Sequence, residues 1–332
     1  MSKYSELKKI LLEKNSFLIT THVNPDADAI GSEIALAEIL YKLGKEYKII
    51  NYSETPYYLQ FLDGRNEIEK YDYDKHKEFI KNVEVFIALD FNRLNRTIKM
   101  ESVLKESQSI KICIDHHQDP ENFASYYFNG TDYCATGHVL YNFIKETQIV
   151  DFDYSIALPL YAAIMTDTGS FRFDRTSSEV HQIVSHLLEL GVVPIQVHSE
   201  IYDQNKLGKL HLLGQSLLSI KLFGDNDELA VMVIKNEDFD KYETSENDTE
   251  GFINIMMSIK SVNVALKFLE VTEGFKVSLR SKGDIPVHQL AQEFGGGGHL
   301  NASGIRIRDK VIEDCYQEIV NRALIYAKGE KL

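Results

Sequence analysis

Apolar and polar positions alternate on two different periods along this chain, and the periods change places in a regular order. Ser16-Phe17-Leu18-Ile19-Thr20-Thr21, Tyr47 to Asn51, Glu84 to Leu89 and Ile110 to Ile114 are short runs with few polar breaks, rich in β-branched and aromatic residues. Runs of this length predict strands, and their lack of a polar face predicts burial on both sides. Between and after them the spacing lengthens to that of a helix. Ile30, Ile34, Leu36, Ala37, Ile39, Leu40 and Leu43 define one from Asp28 to Leu43, stopped by Gly44. Others are expected over 135–146, 154–166 and 177–190. Doubly buried strands interleaved with helices fit a parallel, doubly wound α/β sheet.

Near Pro194 the texture changes. Leu207, Leu210, Leu213, Leu217 and Leu218 keep helical spacing and predict one connecting helix over 201–223. Strands are expected over 229–234, 262–270 and 275–280, a helix over 286–294, then a glycine block (Gly295 to Gly298), a strand over 305–308 and a last helix. The boundaries expected are a larger α/β domain over 1–194, a helical linker over 195–223 and a smaller α/β domain over 224–332. A chain of 332 residues suits two such cores better than one.

Residues capable of metal chemistry fall where these elements end. His22, Asp26 and Asp28 follow the first strand, Asp90 the third, and Asp115-His116-His117 the fourth; Asp167 closes the helix predicted over 154–166. In an open parallel sheet, ligands bind beyond the carboxyl ends of the strands, so the architecture would bring these distant segments together. One such aspartate alone is usually a turn former or a helix cap. Carboxylates gathered in one place repel one another, and cations keep them charged. Mixed carboxylate and imidazole donors suit manganese better than magnesium, and no thiolate joins them as in structural zinc sites. In the second domain, Arg280 at a strand end and the glycines before His299 suggest a nucleotide clamp, since amides freed by glycine can turn towards an anion. Arg172 and Arg175 could reach a phosphate or make ordinary surface ion pairs. His76, His181, His186 and His211 are expected to be exposed or incidental.

Charge limits the partners. Fifty acidic against 36 basic residues leave -14, which disfavours a grip on long nucleic acid, since that grip comes from many Lys and Arg on phosphates. A short oligonucleotide or a nucleotide held in one pocket is not disfavoured. Three scattered cysteines without a CxxC pair, no secretory h-region and no apolar run of about 20 residues lead to the expectation of a cytoplasmic protein with no membrane partner.

The order His22-x-x-Pro25-Asp26-x-Asp28-Ala29-x-Gly31-Ser32, Asp90, Asp115-His116-His117, Asp167 resembles the DHH phosphoesterase superfamily. Arg280-Ser281-Lys282 and Gly295-Gly296-Gly297-Gly298-His299-x-x-Ala302-x-Gly304 resemble its DHHA1 domain. In length and layout the chain is similar to the nanoRNases. The resemblance implies two divalent cations, one on His22, Asp26 and Asp90, the other on Asp28, Asp90, His116 and Asp167, with Asp90 shared. It implies hydrolysis by a water that the two cations activate. Asp115 would orient His116, and His117 would face the scissile phosphate. Arg280, Ser281, Gly296, Gly297, Gly298 and His299 would bind substrate across an inter-domain cleft. The implied substrates are short oligoribonucleotides and 3′-phosphoadenosine 5′-phosphate. Cyclic or linear dinucleotides are the alternative, and a non-catalytic nucleotide sensor is a remote one. A homodimer is left open.

Overall fold

The computed structural model describes residues 3–329. Described residues up to Gln204 form one compact unit, and those from Asn205 onward a second. The first unit runs α1 (Ser5–Glu13), β1 (Ser16–Thr20), α2 (Ala27–Lys42), β2 (Glu46–Asn51), β3 (Ile68–Lys70), α3 (Tyr73–Asn82), β4 (Val85–Leu89), α4 (Glu101–Glu106), β5 (Ile110–Asp115), β6 (Tyr126–Asn129), α5 (Thr136–Thr147), α6 (Tyr154–Asp167), α7 (Ser178–Glu189) and α8 (Pro194–Tyr202). Its six strands are all parallel, in the order β3-β2-β1-β4-β5-β6.

The strands are apolar on both faces because both faces are covered. Phe17, Ile19, Val85, Ile87 and Leu89 enter the core shared with α1, α2, α5 and α6. Leu18, Phe86 and Ala88 point the other way, against Ile80 of α3 and Val103 and Leu104 of α4. Strand order reverses between β1 and β4, the place where an open sheet splays its connections and leaves room for a ligand.

Two glycines decide how tightly the helices close on that place. A Cβ at Gly31 would lie 2.4 Å from the Pro159 carbonyl oxygen, so α2 and α6 touch backbone to backbone there. At Gly137 a Cβ would lie 2.6 Å from the Ala163 Cβ, which brings the first turn of α5 equally close to α6. No side chain larger than hydrogen fits at either contact without moving a helix.

The second unit contains α9 (Leu207–Leu218), β7 (Lys221–Phe223), β8 (Leu229–Ile234), α10 (Asn236–Tyr242), α11 (Phe252–Met257), β9 (Val264–Val271), β10 (Gly274–Ser281), α12 (Val287–Glu293), β11 (Gly297–His299), β12 (Ala302–Ile307) and α13 (Ile312–Lys328). Its mixed sheet has the order β11-β12-β10-β9-β8-β7. Val264, Leu266 and Phe268 pack towards α13, while Ala265 and Leu269 face α11.

Two expectations need correction. The single helix expected over 201–223 is the end of α8, then α9, then strand β7, because the polar stretch Asp203-Gln204-Asn205-Lys206 ends the first, and Lys206 is extended before the second. His76 is not exposed: it is fully buried, accepts from the Asp72 amide at 2.9 Å and lies 3.1 Å from Glu69 Oε2. Among the described residues, no single helix is long and apolar enough to cross a membrane.

Candidate metal centre

The ends of β1, β4 and β5 and of three helices converge at the switch point. His22 follows β1, Asp90 follows β4, and Asp115-His116-His117 ends β5 and continues beyond it. Asp26 caps α2, its Oδ1 accepting from the Asp28 and Ala29 amides at 3.0 and 3.1 Å. Asp28 stands in the first turn of α2 and Asp167 in the last turn of α6, so the close antiparallel packing at Gly31 sets their separation. Asp90 has φ +62°, a left-handed conformation that aspartate tolerates better than most residues.

Among the described residues the side chains form three overlapping groups: one is Asp90, His116 and His117, and the other two share no member with each other. In His22, Asp26 and Asp90 one ligand atom from each residue lies within 4.8 Å of the others; Asp28, His116 and Asp167 do the same. His116 Nε2 is 3.2 Å from Asp167 Oδ2, 3.5 Å from Asp90 Oδ1 and 3.7 Å from Asp28 Oδ2. His22 Nε2 is 3.3 Å from Asp90 Oδ2. The two oxygens of Asp90 therefore face one group each. Asp28, Asp90, His22 and His116 are all buried.

Electrostatics states what this arrangement lacks. Burial, then the neighbouring carboxylates, push the Asp28 and Asp90 carboxyls well above the usual range, and burial, then Asp26, lifts Asp167 to about 7. Burial pulls His22 down and holds His116 at about 4. Among the described residues no Lys or Arg forms an ion pair with Asp26, Asp28, Asp90 or Asp167. Carboxylates that repel, neutral imidazoles that present Nε2 and a missing counter-charge fit divalent cations, with three donors in each group.

Asp115 differs from its expected role. Its Oδ1 holds His117 Nδ1 at 2.7 Å and its Oδ2 accepts from the His117 amide at 3.1 Å, so it orients His117 and not His116. The reason is local geometry: a residue two positions beyond the carboxylate can fold back onto it. Burial lowers the His117 pKa, but the Asp115 hydrogen bond and the charges of Asp90 and Asp115 outweigh it and raise the imidazole to about 9.

Sequence reasoning missed Thr136. Its amide and that of Gly137 donate to the two oxygens of Asp28 at 2.7 and 2.9 Å, and its hydroxyl donates to Asp90 Oδ1 at 2.9 Å. The partners are mostly backbone amides, which carry no signature in side-chain identity. Gly137→Val is expected to lower stability by about 1–3 kcal/mol, the usual cost of overpacking. It should also weaken cation binding by pulling both amides off Asp28. Thermal melting and a cation titration check the two effects; intact cation affinity in a destabilised variant would separate the helix contact from the site.

In the second unit, Phe275, Val277 and Leu279 of β10 enter the core, which leaves Lys276, Ser278 and Arg280 on the opposite face. Arg280 is half-buried and donates from Nη1 to the Leu279 carbonyl at 3.0 Å. Ser281 is engaged in the backbone, donating to the Ile285 carbonyl at 2.7 Å and accepting from Asn301 at 2.9 Å. The glycine block is no open loop. Gly297 to His299 form edge strand β11 against β12. Gly296 and Gly298 are needed because a Cβ at either would strike the backbone of β12, at 2.2 Å from the Gly304 oxygen and 2.5 Å from the Ala302 oxygen. Gly297 faces open space. Lys267, a second missed residue, is buried on β9, donates to the Thr249 hydroxyl and carbonyl at 2.9 and 3.0 Å, and is lowered to about 8 by burial. Its signal was a lysine inside an otherwise apolar run.

Comparison with known proteins gives this geometry a family. Residues 16–164 match the DHH family N-terminal domain, and residues 226–328 match the DHHA1 domain. The chain belongs to the DHH family. A solved structure, that of an exopolyphosphatase-related protein from Bacteroides fragilis, superposes with a TM-score of 0.91 at 31% identity over 98% of both chains. Among curated proteins, the bifunctional oligoribonuclease and PAP phosphatase NrnA of Thermus thermophilus is 29% identical over 91% of this chain and 87% of its own. Its Bacillus subtilis namesake is 23% identical over 93% and 96%. The DHH signature Asp115-His116-His117 is thus the segment whose three members have different jobs here: one orients, one faces the carboxylates and one stands beside them.

Proposed function

We propose that this protein is a manganese-dependent phosphohydrolase of the cytoplasm that releases nucleoside 5′-monophosphates from short oligoribonucleotides and removes the 3′-phosphate of 3′-phosphoadenosine 5′-phosphate. The observation that carries the reading is the pair of three-donor groups facing the two oxygens of Asp90 at the sheet's switch point. Relatives named for these two activities, aligned over most of their length and of this chain, support the substrate class.

In this reading His22, Asp26 and Asp90 hold one cation, and Asp28, His116 and Asp167, with Asp90, hold the other. Bound there, divalent cations neutralise charge at phosphorus and acidify water, which none of these side chains does alone. The chain's own residues do the rest. Thr136 and the α5 amides keep Asp28 and Asp90 aimed. His117, held through Nδ1 by Asp115, presents Nε2; the Asp115 hydrogen bond favours its charged form, which suits it to donate a proton to the leaving alkoxide. Arg280, Gly297, Gly298 and His299 would hold the nucleotide, with Gly297 open to an approaching anion. The mixed oxygen and nitrogen donors favour manganese over magnesium. The net charge of -14 argues for short substrates over long duplexes.

The deciding experiment is a rate panel in manganese: 3′-phosphoadenosine 5′-phosphate, RNA from dimers to 24-mers, linear and cyclic dinucleotides, and pyrophosphate. Rates highest for the first substrate and for RNA of two to five nucleotides support the reading. A preference for cyclic dinucleotides or pyrophosphate by an order of magnitude would replace it.

A further inference from the structure

One cation in the first unit is placed oddly. Arg175 brings Nη1 to 3.2 Å from His116 Nδ1 and 3.4 Å from the Tyr133 carbonyl, and forms no ion pair with a carboxylate among the described residues. In a chain with 50 acidic side chains, an arginine against an imidazole is an unusual choice. Its charge also acts on Asp167 and on His116.

The hydrogen bond has a chemical consequence. Guanidinium nitrogens only donate, so His116 Nδ1 must be the acceptor and the ring proton must sit on Nε2. Nε2 is also the atom aimed at Asp28, Asp90 and Asp167. A cation on Nε2 requires the other tautomer, with the proton on Nδ1 and an acceptor beside it. Neither group changes charge; only the ring proton changes nitrogen. The Arg175–His116 bond and a cation on His116 are therefore mutually exclusive. Once the second group is loaded, the guanidinium must leave His116, and its remaining contact is the long one to Tyr133.

We propose that Arg175 is a cation-released phosphate-binding residue: it rests on His116 until a cation takes Nε2, then swings to a non-bridging oxygen of the substrate's phosphate. This assigns a substrate contact on the catalytic unit, rests on the phosphohydrolase reading for its substrate, and orders the steps, cation before phosphate. A guanidinium without a carboxylate partner and beside a newly positive site has an anion as its natural partner.

The test is Arg175→Gln in the full chain, with two readouts of opposite expected sign. After removal of metals by chelator, calorimetric titration with manganese should show tighter binding, by about three- to tenfold, because the glutamine carbonyl, unlike a guanidinium, can accept from a protonated Nδ1 and one positive charge is gone. Binding of adenosine 5′-monophosphate and inorganic phosphate to the manganese-loaded variant should weaken by about tenfold, the worth of one charge-assisted hydrogen bond. For an active enzyme, KM for 3′-phosphoadenosine 5′-phosphate should rise with little change in kcat. Arg175→Lys, which keeps the charge and cannot accept either, should return cation affinity towards wild type and recover part of the phosphate binding. Unchanged or weaker manganese binding by the Gln variant, or phosphate binding within about twofold of wild type, overturns the proposal. If the wild type hydrolyses none of the nucleotides, the function proposed above fails while both binding readouts still judge Arg175.

Discussion

Replacing Asp90 by asparagine is expected to remove turnover by about a thousandfold or more, which corresponds to ~4 kcal/mol of barrier. Among the described residues, Asp90 is the one carboxylate whose two oxygens face both groups, at 3.3 Å from His22 and 3.5 Å from His116. Its loss would therefore disturb both donor groups at once, whereas loss of Asp26 or Asp167 would disturb one. Asparagine is the better probe than alanine. At φ +62° asparagine costs little, while alanine adds left-handed backbone strain of about 1 kcal/mol. Asparagine also retains an oxygen for the Thr136 hydroxyl. The fold should survive, because Asp90 is pushed towards its protonated form by burial and by neighbouring carboxylates. After chelation the variant should melt at or above the wild-type temperature, since one member of a repelling group is gone. Activity in manganese close to wild type would sink the shared-carboxylate scheme. A melt lowered by tens of degrees would instead mean that Asp90 holds the fold.

What could be read in the sequence follows from which contacts side chains make. Phe17 to Ile19, Val85 to Leu89 and Ile110 to Ile114 are legible as strands because both faces of the sheet are buried, and buried strands leave apolar runs. Once the strands are known, the carboxylates and histidines at their carboxyl ends follow, so the first unit's cluster was visible before any coordinates. The three-residue edge strand β3 and the four-residue β6 were not, since edges tolerate polar residues and short runs carry little period. Edge strand β11 hid for another reason: Gly297 and Gly298 have no side chains to alternate. Thr136 and the Asp115–His117 pairing depend on backbone amides and on a fold-back of two residues, both invisible to spacing. The break before α9 was lost because the leucine period begins only at Leu207, and the four polar residues Asp203 to Lys206 before it are too few to stand out as a break.

Removing the cations should make the protein's stability fall as pH rises from about 6.5 to 9, and restoring them should reduce that fall to what buried Glu33, raised to about 8 and outside the donor groups, contributes. The sign follows from which state binds more protons. Asp28, Asp90 and Asp167 have folded pKa values above their ordinary ones, Asp167 at about 7, and so retain protons that the unfolded chain has lost. Their stabilising effect is complete below the unfolded carboxylate range and is lost as pH climbs through the folded values. His117, raised to about 9, acts in the same direction between 6.5 and 9. His22 and His116 oppose it, because they are lowered: the unfolded chain binds their protons first, so they favour the fold as pH rises, with His116 acting between about 4 and 6.5. Above 6.5 that opposition is spent, and the falling contributions prevail until Lys267, lowered to about 8 by burial, begins to oppose them above that pH. Each proton retained by the folded state then costs about 1.4 kcal/mol per pH unit. Divalent cations need every one of these carboxylates ionised and both imidazoles neutral, so their affinity climbs over the same range. At a thousand times the dissociation constant, one bound cation adds about 4.1 kcal/mol. The difference in melting temperature between manganese-loaded and chelated protein should accordingly widen with each step from pH 6.5 to 9, and in Asp90→Asn it should widen much less. Parallel melting curves in the two conditions across that range would mean that these buried carboxylates are compensated by something other than a cation.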